Sequence, residues 1–187
     1  MSDATRVIGI QAPKPGVWTV DPAHTSVEFI GRHLVFTKVR GRFTGMSGTV
    51  VVAEDPNEST VEVTLETATV STGIADRDGH LKSADFFDVE KYPTITFKSS
   101  KVEWTGVRGR MTGELTVRDV TKPISLDLAF NGIVGDPWGG VRAAFSASGD
   151  LDREDWGLVW NMTLEAGGVL VSKRVEIEIE TELVLQK

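Results

Sequence analysis

Apolar and polar residues alternate one by one along much of this chain. Val61, Val63 and Leu65 are interleaved with Glu62, Thr64 and Glu66, and Ile124, Leu126, Leu128 and Phe130 with Ser125, Asp127, Ala129 and Asn131. Val141, Ala143, Phe145 and Ala147 alternate with Arg142, Ala144, Ser146 and Ser148. Val175, Ile177, Ile179, Thr181, Leu183 and Leu185 alternate with Glu176, Glu178, Glu180 and Glu182. Successive side chains of a strand point to opposite faces, so each run predicts a strand with one wet and one buried face. The unbroken glutamate row must face solvent. Many such runs, punctuated by glycines such as Gly106, Gly132, Gly135 and Gly168, imply an antiparallel sheet closed as a barrel or stacked as a sandwich.

The length, 187 residues, suits one domain with a substantial core. Residues 1–16 read as an N-terminal arm that ends in Pro13, Pro15 and Gly16, with one domain over 17–187. Twenty Lys and Arg stand against 27 Asp and Glu, a net charge of -7, which repels phosphate backbones and anionic bilayers. No nucleic acid partner is expected. No apolar run approaches the roughly 20 residues of a membrane span, so no stable membrane insertion is expected either. With no cysteine, the chain has no disulfide, iron–sulfur cluster, thiolate zinc site or cysteine nucleophile. Val7-Ile8-Gly9-Ile10 is too short for a signal-peptide core, which predicts a cytoplasmic protein.

One stretch breaks the alternation. From Asp76 to Asp88 the sequence is charged, lacks a β-branched run, and carries Leu81, Ala84 and Phe87 at helical spacing. It predicts a short helix across one end of the sheet, with Asp76 or Asp78 near its N-terminus. About eight strands with so little helix close into a barrel whose interior is either filled by side chains or wide enough for one small ligand. Ala143, Ala147 and Gly149 beside Phe145 are compatible with both: small residues leave volume for a ligand, or they complement large neighbours in an ordinary core.

Chemistry-bearing residues are few. His24, His33 and His80 lie far apart without ligand-type spacing, so no metal site is expected. No nucleophile–base pattern occurs and no catalytic residue is assigned. The densest polar group is Arg77-Asp78-Gly79-His80. It reads either as a contact for a ligand's polar head, or an acid–base pair at a pocket mouth, or as a self-satisfied network that pins the helix. Phe86, Phe87, Tyr92, Phe97 and the five tryptophans could line a pocket.

Several ordered signatures resemble one known family. They are Trp18-Thr19-Val20-Asp21-Pro22-Ala23-His24-Thr25-Ser26-Val27-Glu28-Phe29 with His33 and Gly41-Arg42-Phe43; Ser71-Thr72-Gly73 with Arg77-Asp78-Gly79-His80-Leu81; Asp85-Phe86-Phe87-Asp88 with Tyr92-Pro93-Thr94-Ile95-Thr96-Phe97; Gly113-Glu114-Leu115-Thr116-Val117 with Val120-Thr121-Lys122-Pro123; and Asp152-Arg153-Glu154-Asp155-Trp156-Gly157. From about Gly16 to Leu185 the chain resembles the YceI-like, polyisoprenoid-binding proteins. The resemblance implies an all-β fold: an extended eight-stranded antiparallel lipocalin-like barrel with a short helix near one end. It further implies a long isoprenoid lipid inside the barrel, a homodimer, no cofactor beyond that bound lipid, and no catalysis. Two local departures are Asp119, where relatives often carry a turn glycine, and Ser172-Lys173-Arg174, where they are more acidic.

On this reading Phe29, Phe36, Phe43, Phe86, Phe87, Phe97, Leu115 and Leu126 hold the tail. His33, Arg77 and His80 hold the polar head, since a phosphate needs cationic or N–H donors. Two other readings stay open: an enzyme acting on a lipid or quinone at the barrel mouth with His80 and Asp78 as its acid–base pair, and a filled structural barrel without a ligand.

Overall fold

The computed structural model describes residues 12–165 and 167–187. Residues 1–11 of the expected N-terminal arm lie outside that range. Eleven strands follow in order: β1 (Gly16–Val20), β2 (Ser26–His33), β3 (Thr37–Phe43), β4 (Met46–Val52), β5 (Thr60–Glu66), β6 (Val70–Ser71), β7 (Thr94–Thr105), β8 (Arg108–Val117), β9 (Val120–Gly135), β10 (Val141–Asp152) and β11 (Arg174–Leu185). One helix, α1 (Ala75–Lys82), lies between β6 and β7.

The expected eight strands emerge because three pairs are halves of bent strands. β1 and β2 both pair with β11, through Trp18↔Leu185 and Phe29↔Ile177. β4 and β3 continue that row, through Trp18↔Val50 and Phe29↔Gly41, and β5 and β6 continue it again, through Leu65↔Met46 and Val70↔Phe43. The row then runs antiparallel through β7, β8, β9 and β10 back to β11, which closes a barrel.

The breaks have local causes. Pro22 offers no amide to the ladder, and the Asp21 carboxylate accepts the Ala23 amide at 2.9 Å to form a single 3-10 turn. At Gly45 the amide donates to Thr69 Oγ1 at 2.9 Å and the carbonyl accepts from the Glu66 amide at 2.9 Å, which stitches two of the bends together.

The alternation seen in sequence sets the two faces. The inward members of β5, β9 and β11, such as Val63, Leu126 and Ile177, face the barrel interior. The glutamate row of β11 faces outward, and three of its four members are charge-paired: Glu176 with Arg32 and Lys38, Glu178 with Arg40, and Glu182 with Arg142, while Glu180 accepts from the Ser146 hydroxyl. Lys173 and Arg174, the cations that depart from the family pattern, pair with Glu154 and Asp150. In the β8–β9 hairpin the left-handed residue is Arg118, at φ 57°, and not Asp119.

The helix is shorter than the sequence suggests. α1 ends at Lys82, where Ser83 becomes extended and its hydroxyl donates to the His80 carbonyl at 2.7 Å. Residues 83–92 continue as turns that carry Phe86 and Phe87 inward. No helix among the described residues is long and apolar enough to cross a membrane.

Candidate functional site

The barrel is not filled. A cavity of about 750 Å³ runs along its interior, from Trp104, Phe130 and Phe145 at one end to His33, Arg77 and His80 under α1 at the other. Every strand of the barrel except β6 contributes to its mostly hydrocarbon wall. Its size falls within the range of pockets that hold one small molecule. Beyond the cavity wall, fully buried Trp18 packs with Ala143 and Leu183, and its indole donates to the Lys14 carbonyl at 3.1 Å. The small residues of β10 therefore serve both purposes: Ala143 makes room for Trp18, and Ala147 lines the cavity.

The fold brings ten of the eleven expected site residues to this cavity. Phe29, Phe43, Phe86, Phe87, Phe97, Leu115 and Leu126 line it, as do His33, Arg77 and His80. Phe29, Phe43 and Phe87 form a tilted and edge-on trio with centroids 5.4–6.3 Å apart. Phe36 is a correction. It stands on the β2–β3 hairpin, 84% exposed and outside the cavity. The turn takes three residues, Leu34 to Phe36, with left-handed φ at Leu34 (52°) and Val35 (67°), so the period of β2 does not carry through it. Of the aromatic residues considered for a pocket, Trp104, Trp156 and Trp160 line the cavity. Tyr92 lies instead against Lys91 and Arg118, and Trp138 is 84% exposed.

The arginine and histidine side chains of the cavity gather at the α1 end, while hydroxyls such as Thr25 and Thr181 line the other. Asp78 accepts from both the amide and the hydroxyl of Thr72, at 2.7 and 2.5 Å, while Arg77 donates to Thr72 Oγ1 at 2.7 Å and to its carbonyl at 3.2 Å. Burial opposes the Asp78 charge, but the Thr72, Ser71 and Arg77 contacts outweigh it and hold the carboxyl below its ordinary range. His80 Nε2 lies 2.9 Å from Asp85, and its ring stands edge-on to Phe86 and Trp160 at 5.0 and 4.5 Å. The acid–base pair of His80 with Asp78 is therefore not what the fold makes: each has a different partner.

Two features escaped the sequence. Arg153 is buried to 4% exposure in the single 3-10 turn after β10, where it borders the cavity. The other lies outside the cavity: Asp21, His24 and Glu182 bring one potential ligand atom each within 4.8 Å of one another. Arg142 Nη1 already sits between the two carboxylates, 2.5 Å from Asp21 and 3.0 Å from Glu182. The signal for that cluster was the Asp21-Pro22 turn, which folds His24 Nδ1 back to 2.9 Å from Asp21.

Fold and cavity together define an antiparallel barrel with an apolar interior and a polar mouth, the lipocalin-like class. Residues 18–183 match the YceI-like domain. Protein YceI of Salmonella newport is 39% identical over 165 residues, covering 88% of this chain and 83% of that protein. The chain belongs to the YceI-like family. The crystal structure of the Campylobacter jejuni YceI protein is 31% identical, with a TM-score of 0.72 over 83% of this chain and 90% of that one. A polyisoprenoid binding domain from Saccharophagus degradans, implicated in plant cell wall breakdown, superposes with a TM-score of 0.69 over 92% of this chain and 100% of that one. At 16% identity its likeness speaks for the fold.

Proposed function

We propose that this protein binds a long-chain isoprenoid or a similar amphiphile, polyprenyl or quinone-like, with the apolar tail inside the barrel and the polar head under α1. The observation that carries this reading is the apolar cavity with its arginine and histidine side chains, Arg32, His33, Arg77, His80 and Arg153, at one end. Membership of the YceI-like family supports it, as does a structural neighbour described as a polyisoprenoid binding domain. Phe29, Phe43, Phe86, Phe87, Phe97, Leu115 and Leu126 hold the tail, and His33, Arg77 and His80 meet the head.

The energetics favour a binder of this kind. Each methylene removed from water contributes about 0.8 kcal/mol, so a prenyl tail is held without a specific hydrogen bond. Ordering a flexible tail opposes this, so affinity stays well below the sum over methylenes. Binding rather than turnover, a role as carrier, store or stress-related protein, a homodimer, and a cytoplasmic setting complete the proposal. No cofactor other than the bound lipid enters it.

Native mass spectrometry of the purified protein, followed by solvent extraction, tests the reading. A stoichiometric prenyl or quinone mass is the expected result. An apoprotein mass that stays unchanged after incubation with prenyl lipids would overturn it.

A further inference from the structure

Arg153 is the one buried side chain among the described residues with a polar atom left unpartnered. Its Nε donates to the Ser172 carbonyl at 2.9 Å and its Nη1 to the Leu158 carbonyl, while Nη2 finds no acceptor. No described carboxylate lies within ion-pair distance of it. The other buried polar residue, Thr67, donates its hydroxyl to the Tyr92 carbonyl at 2.7 Å. Two carbonyls thus fix the orientation of the guanidinium without neutralising it.

A buried cation left without a counter-charge is strongly unfavourable, and an unpaired buried donor adds to the cost. Burial accordingly pushes the Arg153 guanidinium down from its ordinary value, with Glu154 and Asp152 acting in the opposite direction from a distance. The group borders the cavity at its polar end. Its Cζ lies 6.0 Å from the Phe86 ring, and Phe86 packs against His80 and Trp160. What can approach Arg153 from the interior is therefore whatever the cavity holds.

We infer that Arg153 is the anchor for an oxyanion carried by the ligand's head, a phosphate or a carboxylate, bound at the Phe86–His80–Trp160 wall. This deepens the binding proposal above and rests on it. An oxyanion supplies both the missing acceptor and the missing charge, whereas a neutral hydroxyl or carbonyl supplies only the acceptor. Arg77, the other cavity arginine without a carboxylate partner, is already occupied by Thr72 through two of its donors.

The test uses three probes with one C20 tail: geranylgeranyl monophosphate, geranylgeranoic acid and geranylgeraniol. Dissociation constants are read from tryptophan fluorescence on the wild-type protein and on Arg153→Met, with Arg77→Gln as a comparison. The wild type is expected to bind the phosphate or the acid about tenfold or more tighter than the alcohol. Which of the two leads identifies the source of the oxyanion. In Arg153→Met that preference is lost while alcohol binding persists. Equal affinity of the wild type for all three overturns the inference but leaves the cavity reading standing. So does a preference that survives Arg153→Met and vanishes in Arg77→Gln. Failure of all three probes to bind overturns both readings. Should Arg153→Met fail to fold, nitrogen-15 NMR of the wild-type guanidinium decides: the Nη protons of Arg153 shift and exchange more slowly on adding the phosphate, or the inference is wrong.

Discussion

The Phe29 ring lies flat against the bare Cα of Gly41, its partner across β2 and β3: a β-carbon at position 41 would stand 2.2 Å from Phe29 Cζ. On β7 and β8 the Phe97 ring lies in the same way over Gly113, its diagonal neighbour two residues from its direct partner Leu115, with a β-carbon at 113 falling 2.4 Å from Phe97 Cζ. A glycine directly opposite Phe29, and one diagonal to Phe97, let each ring fold onto the wall instead of projecting into the cavity. The pairs thus set the bore of the barrel.

Gly41→Ala is therefore expected to swing Phe29 into the cavity. Overpacking of this kind costs about 1–3 kcal/mol. Thermal unfolding should register the loss, and the amount of lipid carried by the purified variant should fall with it. A variant with unchanged melting temperature and lipid content would show that Phe29 has another place to go.

Phe97→Glu places a charge on an apolar wall, where no counter-charge is available. Bound prenyl lipid should disappear from the native mass spectrum while circular dichroism still reports a sheet. Lipid retained by the folded variant would remove Phe97 from the tail contacts.

The Asp21 carboxyl is pulled from 3.8 to about 2 by Arg142 first and His24 second, with the Ala23 amide assisting against burial. The folded state thus releases this proton more readily than the unfolded chain. Its contribution, on the order of 2 kcal/mol, is fully present above about pH 4 and is lost as the pH falls through the folded value. Asp21→Asn should lower stability at neutral pH and flatten the acid limb below about pH 4. Urea unfolding at a series of pH values measures both. An unaltered acid limb would assign the acid sensitivity elsewhere.

Val35 holds φ 67°, a region that β-branched side chains disfavour. Asparagine tolerates it, so Val35→Asn should stabilise the β2–β3 hairpin by about 1 kcal/mol. The side chain is more than half exposed, so little packing is lost. A lower melting temperature in the variant would mean that Val35 is held by contacts that outweigh its backbone strain.

The sheet was legible because burial and alternation report the same thing. Val175 to Leu183 on β11 were read correctly as one inward face, and the glutamates between them as the outward one. The Asp21-Pro22 turn and the break at Gly45 were legible, but the joining of the bends at Gly45 and Thr67–Thr69 was not, because the hydrogen bonds that stitch them link residues more than twenty positions apart. The site divides along the same line. Leu126 follows the inward period of its strand, while Phe43 and Leu115 entered through the family signatures; all three line the cavity. Phe36 failed because the turn that holds it obeys no period. Arg153 was invisible because arginine in a charged Asp152–Asp155 run reads as surface, and only the return of Leu158 and Ser172 over it makes it interior.

Closure of the barrel by β11 sets a timetable. β11 holds β10 on one side and β1 with β2 on the other, yet it is the last of the eleven strands to be synthesised. Until it emerges, β10 on one side and β1 with β2 on the other are open edges and no enclosed interior exists. A nascent chain therefore has nowhere to put a greasy guest. Loading belongs to the finished protein or to the moment the seam shuts, and a ribosome stalled before Arg174 leaves a curled sheet with two adhesive edges.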